Sequence, residues 1–353
     1  MTLLVRDEAD IVGINLDYHF AQGVDFVIAT DHSSRDGTAD LLRGYERDGV
    51  LLLREAGGKA HDQVAHVNAM ARAAAIDHGA DWVINNDADE FWWPLFGNLK
   101  EVLSAVPDEF GALLASRANF LPRAGGPEPF LERMVVRERA SKNGRGAPLE
   151  PKVIHRGTPE IAMAPGNHSI DSPDLTVAPD IGLLEVLHFP MRTFEQFERK
   201  VLNVGIGYEL LEARGPEVGR DQLALLELQR EGRLRAHFDG LVVDDASLDS
   251  AVASGRVVVD TRLRDYQAEL HSAGAGRQAP DAAGTRKLVS SAFGLAAELA
   301  RCHEDLDAAR ADRERAERRL EATAATLHAV QASRLMRYSE PLRRLHYRIR
   351  GGT

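Results

Sequence analysis

Two carboxylates separated by one residue, Asp87 and Asp89, stand in the segment Asn86-Asp87-Ala88-Asp89-Glu90-Phe91. On an extended backbone, side chains two apart project to the same side, so both can approach one divalent cation. Hard cations such as Mg²⁺ or Mn²⁺ take oxygen ligands and commonly share them with substrate phosphates. The apolar flanks, Trp82-Val83-Ile84 before and Phe91-Trp92-Trp93-Pro94 after, raise the desolvation cost of three acids, which a bound cation would offset. Taken alone, such a pair is common in solvated loops, and such aromatics are common in cores. A second polar segment, Asp31-His32-Ser33-Ser34-Arg35-Asp36-Gly37-Thr38, sets Asp31 to accept hydrogen bonds from a base or ribose and Asp36 to cap a helix. A third, Val5-Arg6-Asp7-Glu8, follows directly on an apolar stretch.

What must position these segments is an alternation of strands and helices. Residues 2–5, 25–30, 50–53 and 81–85 read as strands. Residues 8–22, 36–47 and 60–78 read as helices, the last with Val64, Val67, Met70, Ala71 and Ala74 at helical spacing. That order implies βαβ units and a parallel sheet. Ligands of such sheets bind outside the carboxyl ends of the strands, which is where all three polar segments fall. Beyond residue 107, short strands over 112–116, 134–137, 152–155 and 183–189 alternate with Gly/Pro-rich loops and predict a mixed half that completes the sheet. A helix is expected over 193–214 and short β-like pieces over 240–263. The fold class is therefore α/β, a Rossmann-like parallel sheet with a mixed second half.

Composition narrows the function. A net charge of −11 over 353 residues argues against general affinity for a nucleic-acid backbone. One cysteine, Cys302, excludes an intramolecular disulfide framework or a Cys-zinc cluster and fits a reducing compartment. No apolar run approaches the roughly 18 residues of a membrane span, and the start lacks the pattern of a signal peptide, so a cytoplasmic protein is expected. Residues 274–286 read as a linker. Over 287–332, steps of three and four from Leu295 through Leu299, Cys302, Leu306, Leu320 and Leu327 trace a heptad seam weakened by Arg313. This is either a solvated single helix or a dimeric coiled coil. The tail, 333–353, is basic and amphipathic, suited to an anionic membrane surface or to docking on the acidic body.

The series Val5-Arg6-Asp7-Glu8-Ala9-Asp10-Ile11, then Asp31-x-Ser33-Ser34-x-Asp36-Gly37-Thr38, then Asp81-Trp82-Val83-Ile84-Asn85-Asn86-Asp87-Ala88-Asp89-Glu90-Phe91 resembles family 2 glycosyltransferases. More narrowly, it is similar to the branch related to family 92. The resemblance covers about residues 1–215 and implies the GT-A fold, with 216–273 an α/β extension packed on it. It implies that Asp89 ligates the metal, Mn²⁺ or Mg²⁺, and that Asp87 contacts ribose or reaches the metal through water. It implies that Arg6, Glu8 and Asp31 hold the nucleoside of a UDP-, GDP- or dTDP-sugar. The sequence departs from the pattern at Asp7, usually Asn, and at His32, often Asn. A late histidine resembles a third metal ligand: His188 matches best, with His168 and His155 as alternatives. The stretch from His188 to Lys200 also looks like that branch.

Inverting transfer needs a carboxylate to take the acceptor's proton. Glu90 is nearest the metal motif, while Glu150, Asp171 and Glu185 are alternatives; on a strand over 183–189, Glu185 faces away from His188. The leading expectation is a metal-dependent glycosyltransferase acting on a glycan or lipid-linked cell-envelope acceptor; pairing of two copies through 287–332 and membrane contact through 333–353 stand beside the single-helix and body-docking alternatives. Against it stand a D-x-D phosphohydrolase and a non-catalytic coiled-coil protein with a nucleotide-binding body. A dinucleotide oxidoreductase is disfavoured, since no Gly-x-Gly-x-x-Gly follows the first strand.

Overall fold

The computed structural model describes residues 1–57, 63–123, 128–143, 146–211, 219–272, 281–332, 339 and 341–347. The expected strands and helices of the first half form: β1 (Thr2–Val5), α1 (Val12–Ala21), β2 (Val27–Asp31), α2 (Thr38–Arg47), β3 (Leu51–Glu55), α3 (Gln63–Ile76) and β4 (Trp82–Asn86). There follow β5 (Glu90–Pro94), α4 (Leu99–Ser104), β6 (Ala112–Asn119), α5 (Phe130–Arg133), β7 (Val136–Glu138), β8 (Lys152–Arg156), β9 (Leu184–His188) and α6 (Phe194–Glu209). The chain continues through α7 (Arg220–Arg230), α8 (Leu234–Leu241), α9 (Asp245–Ala253), β10 (Val257–Val259), α10 (Arg262–Ser272) and α11 (Ala282–Ala332).

Among the described residues, eight strands form one sheet in the order β3-β2-β1-β4-β8-β6-β9-β5. The first four are parallel; β8 runs antiparallel to both β4 and β6, and β5 antiparallel to β9. The α/β class and the mixed second half are as expected. A parallel strand is covered on both faces and reads as an apolar run; Val27, Ile28 and Ala29 of β2 are accordingly buried. The small residues Ala71, Ala73 and Ala74 let α3 lie close on the sheet, in a core with Ile28, Val67, Met70 and Val83.

The link from β4 to β5 forces the sheet to curl. Four chain steps from Asn86 to Glu90 reach about 14 Å at most. Four strand spacings in a flat sheet would separate these strands by about 19 Å. The link is shorter still, because Glu90 N–H donates to the Asp87 carbonyl at 3.0 Å in a tight turn. Curling brings the carboxyl end of β4 to the ends of β6, β8 and β9.

The turn rests on a satisfied polar layer. Asn85 accepts from the Thr2 hydroxyl at 2.7 Å and meets His155 Nε2 at 2.9 Å. Asn86 accepts from the Trp92 indole N–H at 3.0 Å and donates to Asn15 Oδ1 at 3.0 Å. Asn15 in turn donates to the Glu90 carbonyl at 2.7 Å.

Burial in this layer lowers the pKa of His19 to about 3 and of His155 to about 4, from an ordinary 6.5. Both are neutral in the fold, so below pH 6.5 the unfolded chain binds more protons and stability falls with pH. By pH 5 the loss is about 2 kcal/mol for each histidine. A urea midpoint that drops between pH 7 and 5 is the expected result; an unchanged midpoint contradicts it.

Three expectations are corrected. Residues 240–263 are mainly helical (α8 and α9), with β10 as the one short strand among them, pairing with β7. The expected linker, 274–286, lies partly outside the described residues, and from Ala282 it is already helix. There Thr285 is buried and donates to Glu101 Oε2 at 3.0 Å. The aromatic run after the acids is not only a wall: it is β5, with Trp92 fully buried.

The chain divides into two compact units, Met1–Ala292 and Phe293–Thr353, so the residues expected as a GT-A domain and its extension share one unit. In the second unit, α11 exposes Leu295, Leu299, Leu306, Leu320 and Leu327, the residues of the expected seam. The basic tail lies largely outside the described residues. Among those described, no helix is long and apolar enough to cross a membrane.

Candidate active site

A cleft of about 370 Å³ opens at the carboxyl ends of β1 and β4 and is closed on one side by α6. That size suits a small-molecule ligand. It is lined by Arg6, Glu8 and His32 from the parallel half, by the turn of Asp87, Asp89 and Glu90, and by Arg117, Lys152, His168, His188 and Lys200. Arg6, Glu8, Asp87, Asp89, Glu90 and His188 are thus brought together as expected, whereas Asp31 does not line this cleft.

The turn is held by cations. Lys152 Nζ lies 2.6 Å from Asp87 Oδ2 and 3.0 Å from Glu90 Oε2, with Arg117 3.9 Å from the other Glu90 oxygen. Lys200 Nζ bonds Asp89 Oδ2, and His188 Nε2 stands 3.6 Å from the same oxygen. Strand register fixes His188: it pairs with Glu90 on β5 and Asn119 on β6, and its Nδ1 meets Asn119 Oδ1 at 2.7 Å.

Burial alone would raise all three carboxyl pKa values. Lys152 outweighs it at Asp87, and Lys200 with His188 outweighs it further at Asp89, so both fall below the usual range. At Glu90 burial wins over Lys152 and the pKa rises. Of the three acids, Glu90 is therefore the one with basicity suited to accepting a proton.

Arg6 and Glu8 follow β1. Asp7 between them adopts a left-handed conformation, φ 56°, which Asp and Asn tolerate better than most residues. Its side chain accepts from Arg35 N–H and from Asn203 Nδ2, each at 2.7 Å. Glu8 faces the cleft, but its carboxylate is engaged by the buried Arg192, which also bonds Asp10 at 2.6 and 2.9 Å. Asp31 ends β2 beside Val5; Oδ2 accepts from Ser34 N–H at 3.1 Å, and Oδ1 is buried without a hydrogen-bond partner. Asp36 accepts from Thr38 N–H at 3.1 Å, and also from Ala9 N–H at 3.0 Å, tying the second polar segment to the first.

Several alternatives leave the site. His155 is a core residue under Asn85. Glu185 is bound by Arg262 at 2.6 Å, and neither it nor Glu150 nor Asp171 lines the cleft. His168 does line it, with Nδ1 2.9 Å from the Pro151 carbonyl and a pKa lowered by burial to about 4.

The expected Mn²⁺ or Mg²⁺ has Asp89 and His188 as its best-placed donors, yet the Lys200 ammonium already occupies the Asp89 oxygen they would share. Among the described residues no group of three or more His, Cys, Asp or Glu side chains is arranged to hold a metal ion. As arranged, these residues do not form a ready divalent-cation site.

Lys152, Lys200 and Arg192 were not legible as site residues from type and spacing. Lys152 offered one signal: a lysine opening the apolar run Val153-Ile154 of β8 must find a buried acid.

Residues 7–157 match glycosyltransferase family 92, a segment that carries the second and third motifs whole and most of the first. No curated protein matches the chain. Among solved structures, the fold is similar to TarS 1–349 of S. aureus at 14% identity and a TM-score of 0.34, covering 78% of this chain and 92% of that one. The same protein in complex with UDP covers 80% and 94%, at 14% identity and TM-score 0.34; in complex with UDP-GlcNAc it covers 78% and 92%, at 14% and 0.32. Likeness at that level does not transfer chemistry from one chain to another. The family match is a separate matter: through residues 7–157, this chain is a glycosyltransferase similar to family 92.

Proposed function

We propose that the protein transfers a sugar from a nucleoside diphosphate donor to a hydroxyl of a glycan or lipid-linked cell-envelope acceptor, by direct displacement with inversion. One observation carries the donor site. Among the described residues, Arg6 Nε, Asp31 Oδ1 and His32 Nε2 are buried polar atoms with no hydrogen-bond partner, and all three stand at the ends of β1 and β2. Unpaired buried polar groups are costly, and a bound nucleoside would supply the missing partners. Glu90 takes the acceptor's proton as its oxygen attacks the anomeric carbon, and the bond to the diphosphate breaks with its electron pair leaving on phosphate oxygen. Glu8, also raised by burial, is committed to Arg192 and is not the base. The exposed leucines of α11 support pairing with a second copy of the chain.

Nucleoside diphosphate release from UDP-, GDP- and dTDP-sugars tests the activity; no release from any of them rejects it. Asp31→Ala should weaken nucleotide binding about tenfold, the worth of one buried hydrogen bond, with kcat little changed. Calorimetry that finds unchanged affinity rejects the role of Asp31.

A further inference from the structure

Among the described residues that line the cleft, the charged side chains are four cations (Arg6, Arg117, Lys152, Lys200) and four acids (Glu8, Asp87, Asp89, Glu90). An acidic pocket of unmatched carboxylates would need an added cation; this one brings its own. The two lysines differ in freedom. Lys152 has a 2% exposed side chain shared between Asp87 and Glu90, so it is fixed. Lys200 reaches in from α6 with its side chain 35% exposed and, among the described residues, bonds Asp89. Its ammonium bonds the Asp89 oxygen that His188 also approaches, at 3.6 Å, and these two are the residues that would hold a divalent ion. Lys200 also lies beyond the residues that match family 92.

We propose that Lys200 is the cation that stabilises the departing diphosphate, so that transfer proceeds without a divalent metal; this rests on the transferase reading above. As the anomeric C–O bond breaks, charge develops on the phosphate oxygen, and an ammonium held in place donates an N–H to it without reorganising. Asp89 positions the ammonium and holds it there in place of a metal ion. A charge-assisted hydrogen bond from Lys200 strengthens as the leaving group gains charge, so it acts on kcat more than on donor affinity.

The test uses the full chain freed of metal with EDTA, following nucleoside diphosphate release from the same donors. Turnover should be equal within about twofold in EDTA and in Mn²⁺. Lys200→Met should lose about 100-fold or more in kcat, more than any rise in KM, and Lys200→Arg should recover at least about tenfold of it. Paramagnetic resonance at equimolar Mn²⁺ should show the ion free with the unaltered chain and partly bound by Lys200→Met, where Asp89 and His188 are uncovered. That last readout needs no activity. Turnover that appears only with Mn²⁺, Mn²⁺ bound by the unaltered chain, or an unchanged kcat in Lys200→Met overturns this inference while leaving the transferase reading in place. No turnover in either buffer overturns both.

Discussion

Replacing Asp89 by asparagine is expected to lower donor turnover by at least about 100-fold while the protein stays folded. Asp89 is 2% exposed, and its charge holds the Lys200 ammonium in the cleft. Asparagine keeps the side-chain volume but loses that charge, so Lys200 is no longer fixed at one point. A small misplacement of a catalytic group is enough for a loss of this size. Alanine is a harsher substitution than placement in a loop suggests. It opens a buried site and strands the lysine, at a cost of about 1–3 kcal/mol, held to the low end because Lys200 can still reach water. Kinetics and urea midpoints on Asp89→Asn, Lys200→Met and the double variant decide the matter. If the two residues act as one unit, the double variant is no slower than the worse single variant. Losses that multiply would show independent roles, and a normal kcat in Asp89→Asn would remove the residue from the mechanism.

The parallel half was legible because its signals are local. Val27-Ile-Ala-Thr-Asp is an apolar run ending in a polar turn, and a parallel strand buried on both faces has no other way to look. Each polar segment sits where its strand ends, so Asp31, Asp87 and Asp89 could be placed at one edge from order alone. What the sequence hid is set by distant pairings. Phe91, Trp92 and Trp93 carry strand propensity, but the place of β5 in the sheet is set by β9, almost a hundred residues on. Lys152 and Lys200 could not be assigned to Asp87 and Asp89, because those contacts exist only once the sheet curls. The stretch 240–263, which holds α9, reads as β-like because Val242, Val243 and Val257–Val259 carry strand propensity, while the residues between them pack as helix, Ala251 against Val136 and Val257. The role of Glu8 changed for the same reason. Its partner, Arg192, lies 184 positions away.

That partner carries the largest expected effect on stability. Arg192 has a fully buried guanidinium that bonds Glu8, bonds Asp10 twice, and donates to the Phe189 carbonyl at 3.1 Å. It ties the loop after β1 to the segment between β9 and α6, the two walls that face each other across the cleft. Arg192→Met keeps much of the apolar volume but leaves the Glu8 carboxylate buried without its counter-charge. Removing one partner of such a pair costs about 3–5 kcal/mol. The pH dependence has a definite sign. Burial already holds the Glu8 pKa above its ordinary value, with Arg192 as the leading influence pulling it down. Without Arg192 it rises further, so the folded variant binds a proton that the unfolded chain has released, and its deficit relative to the unaltered protein shrinks as pH falls. The measurement is the difference in urea midpoint between variant and parent at pH 8 and pH 6, which cancels the histidine contribution common to both. Adding Glu8→Gln should recover part of the loss at pH 8, because an amide tolerates burial without an ion to face. A deficit independent of pH, together with no recovery in the double variant, would mean that Arg192 acts through packing and its carbonyl contact alone.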